Sequence, residues 1–238
     1  MRNISLLFIL FIACTSCHVN FNKRINGNGN NITESRKIDN ISKVKIQGGI
    51  DVELQPGSAA VQVQADENLQ EYIVTREEDG WLIVTTRDNV NLRSNNPIKV
   101  LVNADMVSAI KVTGSGNVIA KGKFSGADKM DIDITGSGEA DIEVNTPKVL
   151  VDITGSGNVR VSGETKDADI EMRGSGNFNG GELMTENTSV SVMGSGNATV
   201  YADISLDATV RGSGNIFYKG KAEVKKHKSG SGSIEPIN

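Results

Sequence analysis

From residue 109 onward, apolar and polar residues alternate in short runs, and the runs themselves repeat. The tripeptide Gly-Ser-Gly brings them into line. It starts at Gly114, Gly136, Gly155, Gly174, Gly194, Gly212 and Gly230, with successive spacings of 22, 19, 19, 20, 18 and 18 residues. Two positions before it stand Val112, Ile134, Ile153, Met172, Val192 and Val210. Four before it stand Ile110, Ile132, Val151, Ile170, Val190 and Ala208. The column between them is polar: Lys111, Asp133, Asp152, Glu171, Ser191 and Thr209. A period of two with one apolar side predicts strands that bury one face. Asn follows the tripeptide in five of the seven repeats (Asn117, Asn158, Asn177, Asn197, Asn215). Another apolar column comes next, from Val118, Ala140, Val159 and Phe178 to Ala198, Ile216 and Ile234.

A unit of 18 to 22 residues is too short for a strand-helix-strand crossover. It suits one coil carrying two or three short strands. Stacked coils align each column at about 4.8 Å, the ordinary spacing between strands. The predicted fold is therefore all-β: a single-stranded parallel β-helix, or solenoid, right-handed by the general crossover rule. At each corner the paired glycines (Gly114 with Gly116, Gly136 with Gly138, Gly155 with Gly157, Gly174 with Gly176, Gly194 with Gly196, Gly212 with Gly214) can take positive φ where a Cβ would clash. The serine hydroxyl can bond to local backbone. Asn tolerates the left-handed region, and stacked Asn amides can bond from one coil to the next. A phosphate-cradling loop would need a following helix or a placed lysine, and the corners have neither.

The first half alternates less regularly. VKIQGGIDVELQPG, AVQVQAD, GWLIVTTRD and IKVLVN read as strands separated by Gly, Pro, Asp or Asn turns, with a helical turn over Asp66 to Ile73. They are expected to form the first coils, over 38–108, ahead of the Gly-Ser-Gly coils of 109–232. At the far end Lys226 and Lys228 replace the apolar residues and Pro236 follows, which predicts a polar cap over 224–238 guarding an open sheet edge.

The N-terminus carries a different signal. Arg2 precedes an apolar stretch from Ile4 to Ala13, then Cys14-Thr15-Ser16-Cys17. This stretch is too short for a bilayer-spanning helix, which needs about 20 residues, and reads as a cleavable export signal over 1–16. A cysteine after small residues resembles the lipobox of bacterial lipoproteins. Cys17, after Thr15 and Ser16, fits as the lipidated first residue better than the alternative, Cys14. Residues 17–37, rich in Asn and Gly, are expected to form a flexible tether.

Composition narrows the chemistry. Aromatic residues make up 4% of the chain and a single tryptophan is present, so the core must be aliphatic. A formal net charge of -4 lacks the basic surface that nucleic-acid binding needs. His18 lies beside the expected lipid site and His227 within a KKHK segment, so neither suggests a Ser-His or Cys-His nucleophile. Catalysis and organic cofactors are not expected. One candidate cation site exists: Asp131, Asp133, Asp152, Asp169 and Glu171 fall on outward columns of adjacent coils. Like charges across a ladder repel, and Ca²⁺ ligation would relieve them; a hydrated acidic stripe is the simpler alternative.

KIDNISKVKIQGGIDVELQPG, VQVQADENLQEYI and GWLIVTT, followed by serial Gly-Ser-Gly coils, together resemble the putative autotransporter adhesin head GIN domain family of Bacteroidetes-type envelope proteins. The resemblance covers about residues 38 to 220. It implies a β-helical fold, a lipoprotein context and an adhesive or envelope role, and it brings no catalytic or binding residues. The expectation is a non-catalytic module held on a membrane through its lipid, in the cell envelope and on the outer membrane, that binds a glycan or an envelope protein. The alternatives are a polysaccharide-active β-helix enzyme and a cation-stabilised scaffold.

Overall fold

The structure is a computed structural model that describes residues 23–38 and 40–237. The expected signal peptide, Cys14, Cys17 and His18 lie outside the described residues. The less regular half contains β1 (Lys23–Asn26), β2 (Asn31–Arg36), β3 (Lys43–Gly48), β4 (Asp51–Pro56) and β5 (Ala60–Asp66). A 3-10 helix (Glu67–Tyr72) follows, then β6 (Ile73–Glu78), β7 (Trp81–Thr86), β8 (Val90–Arg93) and β9 (Lys99–Ala104). The repetitive half contains β10 (Ala109–Gly114), β11 (Asn117–Ser125), β12 (Met130–Gly136), β13 (Glu139–Gly155), β14 (Asn158–Gly174) and β15 (Asn177–Gly194). It ends with β16 (Asn197–Tyr201), β17 (Ser205–Gly212), β18 (Asn215–Lys219), β19 (Glu223–Gly230) and β20 (Ser233–Pro236).

The fold is the parallel β-solenoid expected from the repeat. Each coil runs up one strand, turns at Gly-Ser-Gly, runs along a second strand and bends back. The register aligns the sequence columns across rungs: Val112 with Ile134, Ile153, Met172, Val192 and Val210. All six are buried. Burying such a side chain contributes about 1.5–3 kcal/mol, so the aliphatic columns supply most of the driving force. Coil lengths vary because bulges absorb the excess. Asn179 and Glu182 flank two residues that face one on the neighbouring strand, and a larger shift separates Ile119 from Lys123.

At the corners the first glycine has φ between +113° and +133°. A Cβ there would lie 2.2–2.5 Å from the carbonyl oxygen of the equivalent glycine one coil earlier. That carbonyl accepts the N–H of the next coil's serine at 2.8–2.9 Å, and in most rungs also that of the following glycine. The serine is exposed, and its backbone N–H, rather than the hydroxyl, holds the corner together.

The N-terminal half departs from the expectation of simple leading coils. β3 and β4 form the first coil around a Gly48-Gly49 corner, but the chain then doubles back. β7 stacks parallel on the side of β3 away from β10, and β9 does the same for β4. β6 then folds antiparallel onto β7 through a turn with Asp79 and Gly80 at positive φ. β5 pairs antiparallel with both β9 and β2. These strands and the 3-10 helix close this pole. Leu69 is buried, and buried Gln70 donates to the carbonyls of Ile32 and Val63.

The expected tether over 17–37 is corrected from Lys23 onward. β1 pairs with β8 and β2 with β5. An edge strand needs few apolar residues, so Ile25 and Ile32 suffice and the Asn-Gly content disguised the strands. Asp66 anchors the same region, accepting hydrogen bonds from Ser94 Oγ and Asn96 Nδ2, both at 2.6 Å. At the opposite pole Lys226 and Lys228 occupy the inward columns. Lys226 Nζ donates to the carbonyl of Ile234 and lies 4.9 Å from the centroid of the Tyr218 ring.

Two outcomes follow from this geometry. Gly174→Ala combines positive φ with a backbone collision at 2.2 Å, whereas Gly126 has positive φ in open space. Chemical denaturation should show a loss of about 3 kcal/mol or more for Gly174→Ala and about 1 kcal/mol for Gly126→Ala. Asp66 is held below the usual carboxylate range by the Ser94 and Asn96 bonds, with burial opposing them and the Gly29 backbone adding to them. A depressed folded-state value gives stability that is present above the unfolded pKa and lost as pH falls through the folded one. Asp66→Asn should therefore be less stable than wild type at neutral pH, and the gap should narrow on acid titration followed by circular dichroism.

Candidate functional site

The solenoid carries its surface chemistry in columns, because every outward residue faces its equivalent on the next rung. The Asn positions at the corner make one such column. Asn117 Nδ2 donates to Asp51 Oδ1 at 2.9 Å, and Asn117 Oδ1 accepts the Glu139 N–H at 3.1 Å. Asn158 donates to Glu139, Asn177 to Asn158, Asn197 to Asn177 and Asn215 to Asn197, at 2.9–3.4 Å. Asn215 Oδ1 then accepts the N–H and hydroxyl of Ser233, both at 3.0 Å. Each amide uses one donor and one acceptor on its neighbours and retains others facing solvent. The glycines flanking this column, from Gly114 and Gly116 to Gly212 and Gly214, form the corners described above.

The five acidic residues considered for a cation lie on the opposite strand of the coil. Asp133, Asp152 and Glu171 are in register, as are Asp131, Leu150 and Asp169. Cations intervene rather than a ligand set. Lys111 reaches Asp133 at 2.5 Å, Lys129 reaches Asp131 at 2.9 Å, and Arg173 contacts both Glu171 and Asp152. Among the described residues no group of three or more His, Cys, Asp or Glu is placed to hold a metal ion. These salt bridges offset the like-charge repulsion along the ladder: Lys111 stands in the same column as Asp133, and Lys129 and Arg173 reach in from adjacent columns. His227 is exposed and sits 3.9 Å from Asp207.

A groove that the repeat pattern does not foretell lies over the later coils. It is about 450 Å³ and lies between two outward columns. One wall is Asp167, Asn187 and Ser205, linked by Asn187 Nδ2 to Asp167 at 3.0 Å and Ser205 Oγ to Asn187 at 2.8 Å. The other is Asp169, Ser189 and Asp207. Small Ser189 between two carboxylates opens the groove, Leu206 and Ala168 lie at its base, and Lys148 and Lys225 mark its ends. The signal was in the sequence as a change of size along an outward column, from Asp169 to Ser189 and back to Asp207. A second cleft, of about 460 Å³, lies near the other pole around Trp81.

The salt-bridged column has a measurable consequence. The Asp152 carboxyl is pushed up by burial and by Glu171, offset by Arg173, with Asp133 and Asp131 adding to the rise. A raised carboxyl value means that stability falls as pH climbs from the unfolded to the folded pKa. Asp152 is more than half exposed, so solvent keeps the effect to a few tenths of a kcal/mol. Asp152→Asn should therefore match or slightly exceed wild type in melting temperature at neutral pH, with the difference vanishing in acid.

Comparison with known proteins agrees with this architecture. A solved structure from Bacteroides fragilis NCTC 9343, described as a putative adhesin, matches with a TM-score of 0.85 and 26% identity. The match covers 90% of this chain and all of the other. A Parabacteroides distasonis ATCC 8503 structure, described as a putative lipid binding protein, matches with a TM-score of 0.73 and 27% identity over 91% of this chain and 100% of that one. A putative adhesin from Parabacteroides merdae ATCC 43184, at 24% identity and a TM-score of 0.72, covers 90% of this chain and 99% of its own, and shares the fold. No curated protein matches the chain. The family model described as "Putative auto-transporter adhesin, head GIN domain" matches residues 40–222, and the chain belongs to that family.

Proposed function

We propose that this protein is a non-catalytic adhesion module of the cell envelope, anchored in the outer membrane through a lipid on Cys17, that captures a glycan through the groove over its later coils. The observation that carries the reading is the groove itself. Hydroxyl, amide and carboxylate groups line its two walls in register, over an apolar base. Such a surface suits a neutral polyhydroxylated chain, whose hydroxyls both donate and accept. Its four carboxylates (Asp167, Asp169, Asp207, Glu223) outnumber Lys148 and Lys225, which disfavours an anionic one. The volume falls within the roughly 300–1,000 Å³ of small-molecule sites, enough for a short stretch of sugar. The adhesin family and the adhesin-like neighbours support the same role. An envelope protein is the alternative occupant.

Ser189→Arg fills the groove without touching the corners or the core. Purified protein on a glycan array should bind a neutral oligosaccharide, and the variant should lose at least tenfold in affinity while keeping its circular dichroism. Equal binding by the two proteins would remove the groove from the proposal. Cys17→Ser should move the protein from the membrane fraction to the soluble one, and retention in the membrane would rule out that anchor.

A further inference from the structure

The outward column that forms one wall of the groove continues in the other direction through Asp131 and Ala109 to Lys43 and Trp81. Trp81, the sole tryptophan, is the last parallel rung of that column, with Glu78 of β6 across from it, and lies some five rungs or about 24 Å from Asp169 at the inter-strand spacing. It stands outside the core because the alternation sends Leu82 and Val84 inward. Beside it the next outward column brings Ile83, Lys45 and Lys111 into register. Arg76, from β6, pairs across Ile83. A cleft of about 460 Å³ opens among Trp81, Lys45, Lys111 and Arg76.

Two features of this cleft are costly without a ligand. Lys45 and Lys111 are direct cross-strand neighbours, an arrangement in which like charges repel. Lys111 is drawn to Asp133 and Arg76 to Glu78, but among the described residues Lys45 has no ion-pair partner. A tryptophan is also kept partly exposed, with the Lys43 ammonium 5.5 Å from its ring centroid. Ala109, next to Lys43 on the following rung, leaves room beside it.

We infer that this cleft is a binding site for an anionic sugar, a ring bearing a carboxylate or sulfate group. The anion would sit between Lys43 and Lys45, relieving the repulsion that Lys45 shares with Lys111. The apolar face of the ring would pack against the indole, as sugar C–H groups do on flat aromatic surfaces. Lys43 would leave the indole to meet the anion, which uncovers the ring as the ligand arrives. Glu78 and Asp79, on the rim, restrict entry to a single charged ring rather than a dense polyanion such as nucleic acid. The site is independent of the groove: its charge is opposite and no single ring reaches both.

Trp81 reports on its own site, since no other tryptophan contributes to the emission. The experiment is a fluorescence titration of the full chain with tetragalacturonate, with maltotetraose as neutral control and oligothymidylate as polyanion control. The expected result is a saturable emission change with tetragalacturonate alone, abolished in molar salt and weakened at least tenfold in Lys45→Gln, whose circular dichroism stays unchanged. No saturable change, an equal response to maltotetraose, or stronger binding of oligothymidylate would each overturn the inference. The Ser189→Arg protein should respond like wild type. Failure here leaves the groove untouched, and failure of the groove leaves this site untouched.

Discussion

The structure depends on how closely successive backbones approach at one corner. A single glycine carbonyl accepts N–H groups from the coil above, and the next glycine must sit where any Cβ would strike that carbonyl. Once this contact is set in one rung, the register of the whole rung follows. The inward columns then coincide, the aliphatic core closes without disulfides, and the outward residues become ladders. Because a parallel ladder repeats residue type across rungs, an exposed side chain meets its own kind unless the sequence intervenes. The protein answers in different ways: amides join head to tail in the Asn column, while the acidic column receives Lys111, Lys129 and Arg173.

The repetitive half was legible in the sequence because its signals are local and periodic. Apolar residues two and four positions before the first six Gly-Ser-Gly tripeptides coincide in the structure with buried columns such as Val112, Ile134 and Ile153. The N-terminal half was legible only as a set of strands. Nothing in KVKIQGGIDVELQP says that β7 will stack on one side of it and β10 on the other, because stacking order is a long-range choice between similar alternating strands. The same limit hid the Trp81 cleft. The alternation places Trp81 outside, but its lysine neighbours come from other parts of the chain, Lys43 lying 38 residues before it and Lys111 30 residues after it. Strands β1 and β2 were hidden for another reason: edge strands with a half-exposed face need so few apolar residues that polar and charged side chains dominate their composition.

Charge changes sign along the outward columns. Lys43, Lys45 and Lys111 stand at the capped pole, carboxylates occupy the middle coils, and Lys225, Lys226 and Lys228 gather at the last coil. The net charge of the chain conceals this unevenness: residues 109–200 carry 13 Asp and Glu against 8 Lys and Arg, whereas residues 201–238 carry 4 against 6. Lysines in the inward columns of the last coil also change its character. Lys226 covers the end of the core with its stem and places its ammonium on a backbone carbonyl, so the closing rung offers a neighbouring strand a charged and uneven template.

The doubled-back arrangement of β3 and β4 has a consequence for how such proteins vary. Their coil is flanked on one side by strands that arrive later in the chain and bend into antiparallel partners, and on the other by the open series of repeats. The first flank is tied to its cap by connections that no extra rung could enter. The second is a run of interchangeable units, and a duplicated or deleted coil there alters only the distance between the two poles. Length is thus free to drift in a lineage while the closed end stays constant, and any ligand sites on opposite halves would be spaced by the number of rungs inherited between them.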